Sequence, residues 1–123
     1  ILFGFSGGGM MAYYQAIKHG DRYAYIFPVS GRLSKDLLGD EAIRIGAEVI
    51  AFHGMSDSVV SINGGKEAVA LLRESGADVI FSEFKGGHLE IFTAMKPTIT
   101  EAIEEKIKHL KKTEVDPKAD TVD

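Results

Sequence analysis

Short apolar runs alternate along the chain with longer segments that carry apolar residues on one side only. Ile1 to Phe5 is apolar throughout and bounded by glycine, which predicts the end of a buried strand. Gly7-Gly8-Gly9 then leads into a predicted helix, Met10 to His19, stopped by Gly20 at its C-terminal cap. Tyr23 to Val29 reads as a second strand with Pro28 marking its end, since proline has no N–H to give a ladder. Arg32 to Gly46 is mixed and charged and predicts a surface excursion with a helical turn. A third strand is expected at Glu48 to Phe52, with Val49, Ile50 and Phe52 as its core. Ala68, Val69, Leu71 and Leu72 share one side of a predicted helix from Ile62 to Ser75, closed by Gly76. In the fourth strand, Asp78 to Phe84, both the Val79, Phe81 set and the Ile80, Phe84 set are apolar, as for a strand covered on both faces. The last helix is predicted to open at Pro97, with Thr98 to Glu101 as a capping box and Ile99, Ala102, Ile103, Ile107 and Leu110 on its buried side.

Strands alternating with helices predict an α/β fold: a parallel sheet of about four strands with helices on both faces. The domain is expected over residues 1–112, and the polar, aperiodic Thr113 to Asp123 reads as a disordered tail. The first residue is Ile rather than Met and already β-prone, which predicts a fragment or truncated form.

Composition narrows the function. With 14 Lys and Arg against 18 Asp and Glu, the net charge is −4, and no basic footprint for nucleic acid exists. The absence of cysteine excludes disulfides, thiolate catalysis and cysteine-held metals. None of the four histidines forms an i,i+4 pair or an H-E-x-x-H pattern, so neither a metal nor another cofactor is expected. No apolar run is long enough for a membrane span and no basic leader precedes one, so a reducing cytoplasm is the expected compartment.

Gly4-Phe5-Ser6-Gly7-Gly8 matches G-x-S-x-G between an apolar strand and a helix, the context in which a serine can stand on a sharp, strained turn. Gly4 and Gly8 are expected to give that turn its space. The same glycines could form a flexible strand-to-helix loop or a phosphate cradle. However, neither G-x-G-x-x-G nor a terminal Gly-Lys-Ser/Thr is present. A serine nucleophile needs a base and an acid that orients the base. His88 follows the fourth strand and Asp57 the third, so Ser6, Asp57 and His88 would meet at one edge of the sheet, where open α/β sheets bind ligands. His53 is expected to pack or hydrogen-bond locally, and His19 and His109, near helix C-termini, to be structural.

These segments resemble the second half of an α/β-hydrolase of the phospholipase/carboxylesterase group, which includes the acyl-protein thioesterases. The likeness rests on Gly4 to Gly9, Val29-Ser30-Gly31, His53-Gly54 through Asp57 to Val60, and Gly87-His88. It implies that Ser6 attacks an acyl ester, His88 relays the proton, Asp57 holds the His88 tautomer, and the Gly7 N–H is an oxyanion donor. The family commonly carries Gln where this chain has Gly7. Its first strands, and the loop giving the second oxyanion N–H, have no counterpart here. Because the strand ending at Phe5 is central in that family, the resemblance implies an exposed edge covered by the missing N-terminal half or by a second copy. Phe5, Met55 and Leu89 are candidates for an acyl pocket, as are Met10, Met11, Ile91 and Phe92, and Arg32 to Gly46 for a lid. Prolyl-oligopeptidase-type peptidases and dienelactone-hydrolase-like enzymes share the elbow, and a non-catalytic interaction module is the alternative from another class.

Overall fold

A computed structural model describes residues 1–114, and the remainder of the predicted tail, residues 115–123, lies outside them. The elements are β1 (Leu2–Phe5), α1 (Gly7–Lys18), β2 (Tyr25–Val29), β3 (Glu48–Gly54), α2 (Ile62–Glu74), β4 (Asp78–Phe84) and α3 (Lys96–Glu114). Single 3-10 turns lie at Gly20–Arg22, Lys35–Leu37 and Glu90–Phe92. The strands pair in parallel in the order β1-β2-β3-β4, so every strand ends at the same edge of the sheet. The α/β class follows as expected.

Period-two alternation divides the core between two faces. Ile26, Val49 and Ala51 point toward Tyr13 and Ile17 of α1 and Ala68 and Leu72 of α2. Tyr25, Phe27, Val29, Ile50, Phe52 and Phe84 point the other way, toward Ile99, Ile103 and Leu110 of α3. Each fully buried side chain of this size contributes about 1.5–3 kcal/mol relative to exposure, and this two-sided burial keeps the strand ends fixed relative to one another.

The structure departs from the expected elements at informative places. The helix after β1 begins at Gly7, so the glycines form its first turn instead of a loop ahead of it. β2 starts at Tyr25, and its ladder to β3 pairs Tyr25, Ile26 and Val29 while skipping Phe27 and Pro28, where proline has no N–H. Ile80 is half exposed, because β4 ends the sheet and helices cover it only in part. α3 opens at Lys96, with the Ile99 N–H bonded to the Met95 carbonyl at 3.0 Å, so Thr98 lies inside the helix and cannot cap it. The helix also runs through Glu114, beyond the expected boundary at 112.

The excursion from Arg32 to Gly46 is strapped to α1. Leu33 is buried, the Arg44 N–H donates to the Ile17 carbonyl at 2.8 Å, and the Tyr14 hydroxyl donates to Glu41 Oε1 at 2.6 Å. The buried Lys18 ammonium donates to the Glu41 carbonyl. His19, at the end of α1, lies beside the Glu41 carboxylate, and the His109 ring meets Tyr25 edge-on.

Candidate active site

Ser6 joins β1 to α1 with φ 58° and ψ −112°, in the positive-φ region that side chains avoid. Holding a non-glycine residue there costs on the order of 1–3 kcal/mol, so the surroundings must enforce it. The Ser6 N–H donates to the Val29 carbonyl at 2.9 Å, and the Met10 N–H closes the first helical turn on the Ser6 carbonyl at 3.0 Å. A Cβ on Gly4 would stand 2.0 Å from the Gly8 carbonyl oxygen, and one on Gly9 would stand 2.5 Å from the Val29 oxygen. Around Gly8 a Cβ would meet nothing within 4 Å. The expectation that Gly4 and Gly8 provide the space is therefore corrected to Gly4 and Gly9, because Gly9 is the residue that faces β2 and Gly31. Gly7 opens the helix, so its N–H belongs to the group without an intrahelical acceptor.

The acid and base loops continue the β3–β4 pairing beyond the strands. The Met55 N–H donates to the Phe84 carbonyl at 2.8 Å and the Ser56 N–H to the Gly86 carbonyl at 3.0 Å. Gly54 permits this approach, since a Cβ there would lie 2.4 Å from the Gly86 oxygen. Within the acid loop, Asp57 Oδ1 accepts the N–H groups of Val59 at 2.9 Å and Val60 at 2.8 Å. Its other oxygen, Oδ2, lies 2.8 Å from His88 Nδ1, and the Asp57 side chain is fully buried. His88 Nε2 lies 2.9 Å from Ser6 Oγ.

A carboxylate only accepts, so Nδ1 of His88 carries the proton and Nε2 is left to accept the Ser6 hydroxyl. Burial is the largest influence on the Asp57 carboxyl and pushes its pKa up. The His88 hydrogen bond, the Val60 and Val59 N–H groups and the His88 charge together outweigh it, and the pKa sits below the ordinary value. The group is thus held ionised where an imidazolium would form.

The structure brings Ser6, Asp57 and His88 into one hydrogen-bonded chain, with Gly7 adjoining Ser6. The Phe5 ring stacks obliquely on His88 with centroids 4.9 Å apart, and Phe92 meets Phe5 edge-on at 4.9 Å. Met55 and Leu89 are exposed on the acid and base loops, whereas Ile91 belongs to the core. Glu90 escaped the sequence reading: its Oε1 accepts the Gly87 N–H at 2.9 Å and steadies the residue before His88. The spacing Gly87 to Glu90, an acceptor three residues after a glycine N–H, was the available signal. Such an array can raise the nucleophilicity of a hydroxyl and hold the resulting cation. Among the described residues, no group of three or more His, Asp or Glu is arranged for a metal ion, and no helix is long and apolar enough to cross a membrane.

The family model described as Phospholipase/Carboxylesterase matches residues 1–109. The crystal structure of esterase PE8 is 31% identical, with a TM-score of 0.70 over 85% of this chain and 48% of that one. A Bacillus cereus carboxylesterase shares the fold at 17% identity and TM-score 0.56, covering 70% of this chain and 40% of its own. An acylaminoacyl peptidase from Pyrococcus horikoshii does so at 18% identity and TM-score 0.57, covering 72% and 20%. Comparison with curated proteins gave no match. The chain therefore spans about half the length of the esterase PE8 chain and less of the other two.

Proposed function

The chain belongs to the phospholipase/carboxylesterase family of α/β-hydrolases, and from that premise we propose that the protein is a serine carboxylesterase or thioesterase acting on acyl esters. The observation that carries this reading is the continuous hydrogen-bonded chain from Ser6 Oγ through His88 to the buried Asp57. In this reading, Ser6 Oγ attacks the acyl carbonyl as His88 Nε2 takes its proton. The tetrahedral oxyanion faces the Gly7 N–H at the start of α1, and a donor of this kind contributes about 3–4 kcal/mol to the transition state. His88 then protonates the leaving alkoxide or thiolate, and water repeats the sequence to release the acid. Asp57 keeps the His88 tautomer and offsets its transient charge. Phe5, Met55 and Leu89 offer apolar contact for the acyl group. Further polypeptide or a second copy of the chain would cover the edge of β1 that has no partner strand among the described residues.

The peptidase alternative rests on likeness of fold alone. The test is labelling of the purified chain with a fluorophosphonate, followed by peptide mass spectrometry. An adduct on Ser6 that disappears in Ser6→Ala supports the reading. A folded protein whose only adduct lies elsewhere overturns the nucleophile assignment.

A further inference from the structure

The second histidine near the site takes no part in the proton relay, yet its side chain is as fully buried as that of Asp57. His53 stands next to last in β3, with no exposed surface. Its Nε2 lies 2.8 Å from the Val60 carbonyl oxygen and 3.6 Å from Asp57 Oδ2. Among the described residues its Nδ1 has no hydrogen-bond partner, and it lies close to Gly65 in α2, where a Cβ would come within 2.6 Å. The ring also faces Phe81 of β4, with centroids 6.5 Å apart. The bond to a carbonyl requires the proton on Nε2, and Nδ1 lies against Gly65. His53 thus carries a proton on Nε2 and makes no hydrogen bond to Ser6 or His88.

The consequence lies in what Val60 does. The same residue whose carbonyl accepts from His53 gives its own N–H to Asp57 Oδ1. Fixing Val60 therefore fixes one of the two main-chain donors that set the rotation of the carboxylate, and the His53 N–H lies beside the other oxygen, the one that His88 uses. A leucine or phenylalanine would fill this space without the cost of burying a polar ring.

We propose that His53 is a positioning residue of the site, a buried latch that locks residues 57–60 so that Asp57 presents Oδ2 to His88. The inference rests on the hydrolase reading for its effect on turnover, and on geometry alone for the latch itself.

Two variants separate the donor from the volume. His53→Leu keeps the bulk and removes the N–H, whereas His53→Gln keeps an N–H able to reach the Val60 carbonyl. With a p-nitrophenyl acyl ester as probe, His53→Leu is expected to lower kcat about tenfold or more with KM within about twofold, and His53→Gln to recover most of the loss. By proton NMR, the downfield Nδ1–H resonance of His88 should persist in wild type and His53→Gln and be lost or shifted in His53→Leu. Unchanged turnover and an unchanged resonance in folded His53→Leu would overturn the latch. If that variant does not fold, nitrogen shifts of wild-type His53 decide. An Nε2–H tautomer supports the proposal, and an Nδ1–H tautomer overturns it. Failure of the hydrolase reading shows separately, as a wild type that leaves Ser6 unlabelled while the His53 and His88 resonances stay as described.

Discussion

The Ser6 hydroxyl and Nε2 of His88 lie 2.9 Å apart although 82 positions separate them in the chain. Parallel pairing in sequence order makes the meeting possible, because β1, β3 and β4 all deliver their following loops to one edge. The main-chain bonds of Met55 and Ser56 then draw the acid loop against the base loop. The site is thus assembled by backbone hydrogen bonding before any side chain is considered.

Replacing Ser6 with alanine should lower kcat by roughly six orders of magnitude, since the nucleophile is removed. The fold should keep its stability to within about 1 kcal/mol, because among the described residues the hydroxyl hydrogen-bonds only His88. Ester hydrolysis and urea unfolding of the same preparation check both halves, and turnover at the wild-type rate would exclude Ser6.

Asp57→Asn should lower kcat by about four orders of magnitude by stabilising the wrong His88 tautomer. It also predicts a pH signature. The Asp57 pKa lies below the unfolded value of about 3.9, so its stabilisation is complete above that value and is lost as pH falls through the folded pKa. The stability gap between wild type and variant, measured by denaturant titration, should be constant from neutral pH to about pH 5 and shrink below about pH 4. A gap that widens in acid would contradict the sign.

The glycines of the elbow should behave unequally. Gly4→Ala and Gly9→Ala drive a methyl into main-chain atoms at 2.0 and 2.5 Å, and each should cost several kcal/mol or prevent folding. Gly8→Ala meets nothing in the first turn of α1 and should gain about 0.5–1 kcal/mol from reduced backbone freedom in the unfolded chain. Thermal melts of the three variants rank them directly.

Glu90→Ala should leave the Gly87 N–H without its acceptor and loosen the approach to His88, lowering kcat about tenfold, while Glu90→Gln retains an acceptor and most of the activity. Equal rates for both variants and wild type would make Glu90 a spectator.

Ile1, just ahead of β1, and Phe3 within it are 42% and 45% exposed, and the second edge of β1 has no partner strand among the described residues. The 123-residue chain alone is therefore expected to self-associate, and Phe3→Lys to reduce the association, as read by light scattering after gel filtration. A stable monomer without the substitution would contradict this.

Much of the architecture was legible because it depends on local pattern. Asp78 to Phe84 forms a strand with the expected bounds, and Ser6, Asp57 and His88 each sit just past a strand, where a loop must turn. What the sequence concealed depends on neighbours distant in the chain. Gly9 matters because β2 and Gly31 press against it, and Gly8, one residue earlier, faces open space. Ile80 looks like a core residue until the strand order puts β4 at the end of the sheet. Thr98 and Glu101 have the spacing of a cap, but the Met95 carbonyl starts α3 one turn earlier, and Pro97 fits its first turn at no cost in hydrogen bonds.

Gly4, Gly9 and Gly31 bring three stretches of main chain into direct touch beneath Ser6, with no side chain between them. The location of the hydroxyl is consequently insulated from the mosaic of residues that fills the two cores. Drift at Leu72, Val69 or Ile103 can raise or lower the melting point while the geometry at the elbow stays put. The core side chains can thus be tuned with little effect on the elbow, whereas the elbow glycines serve the fold and the site together.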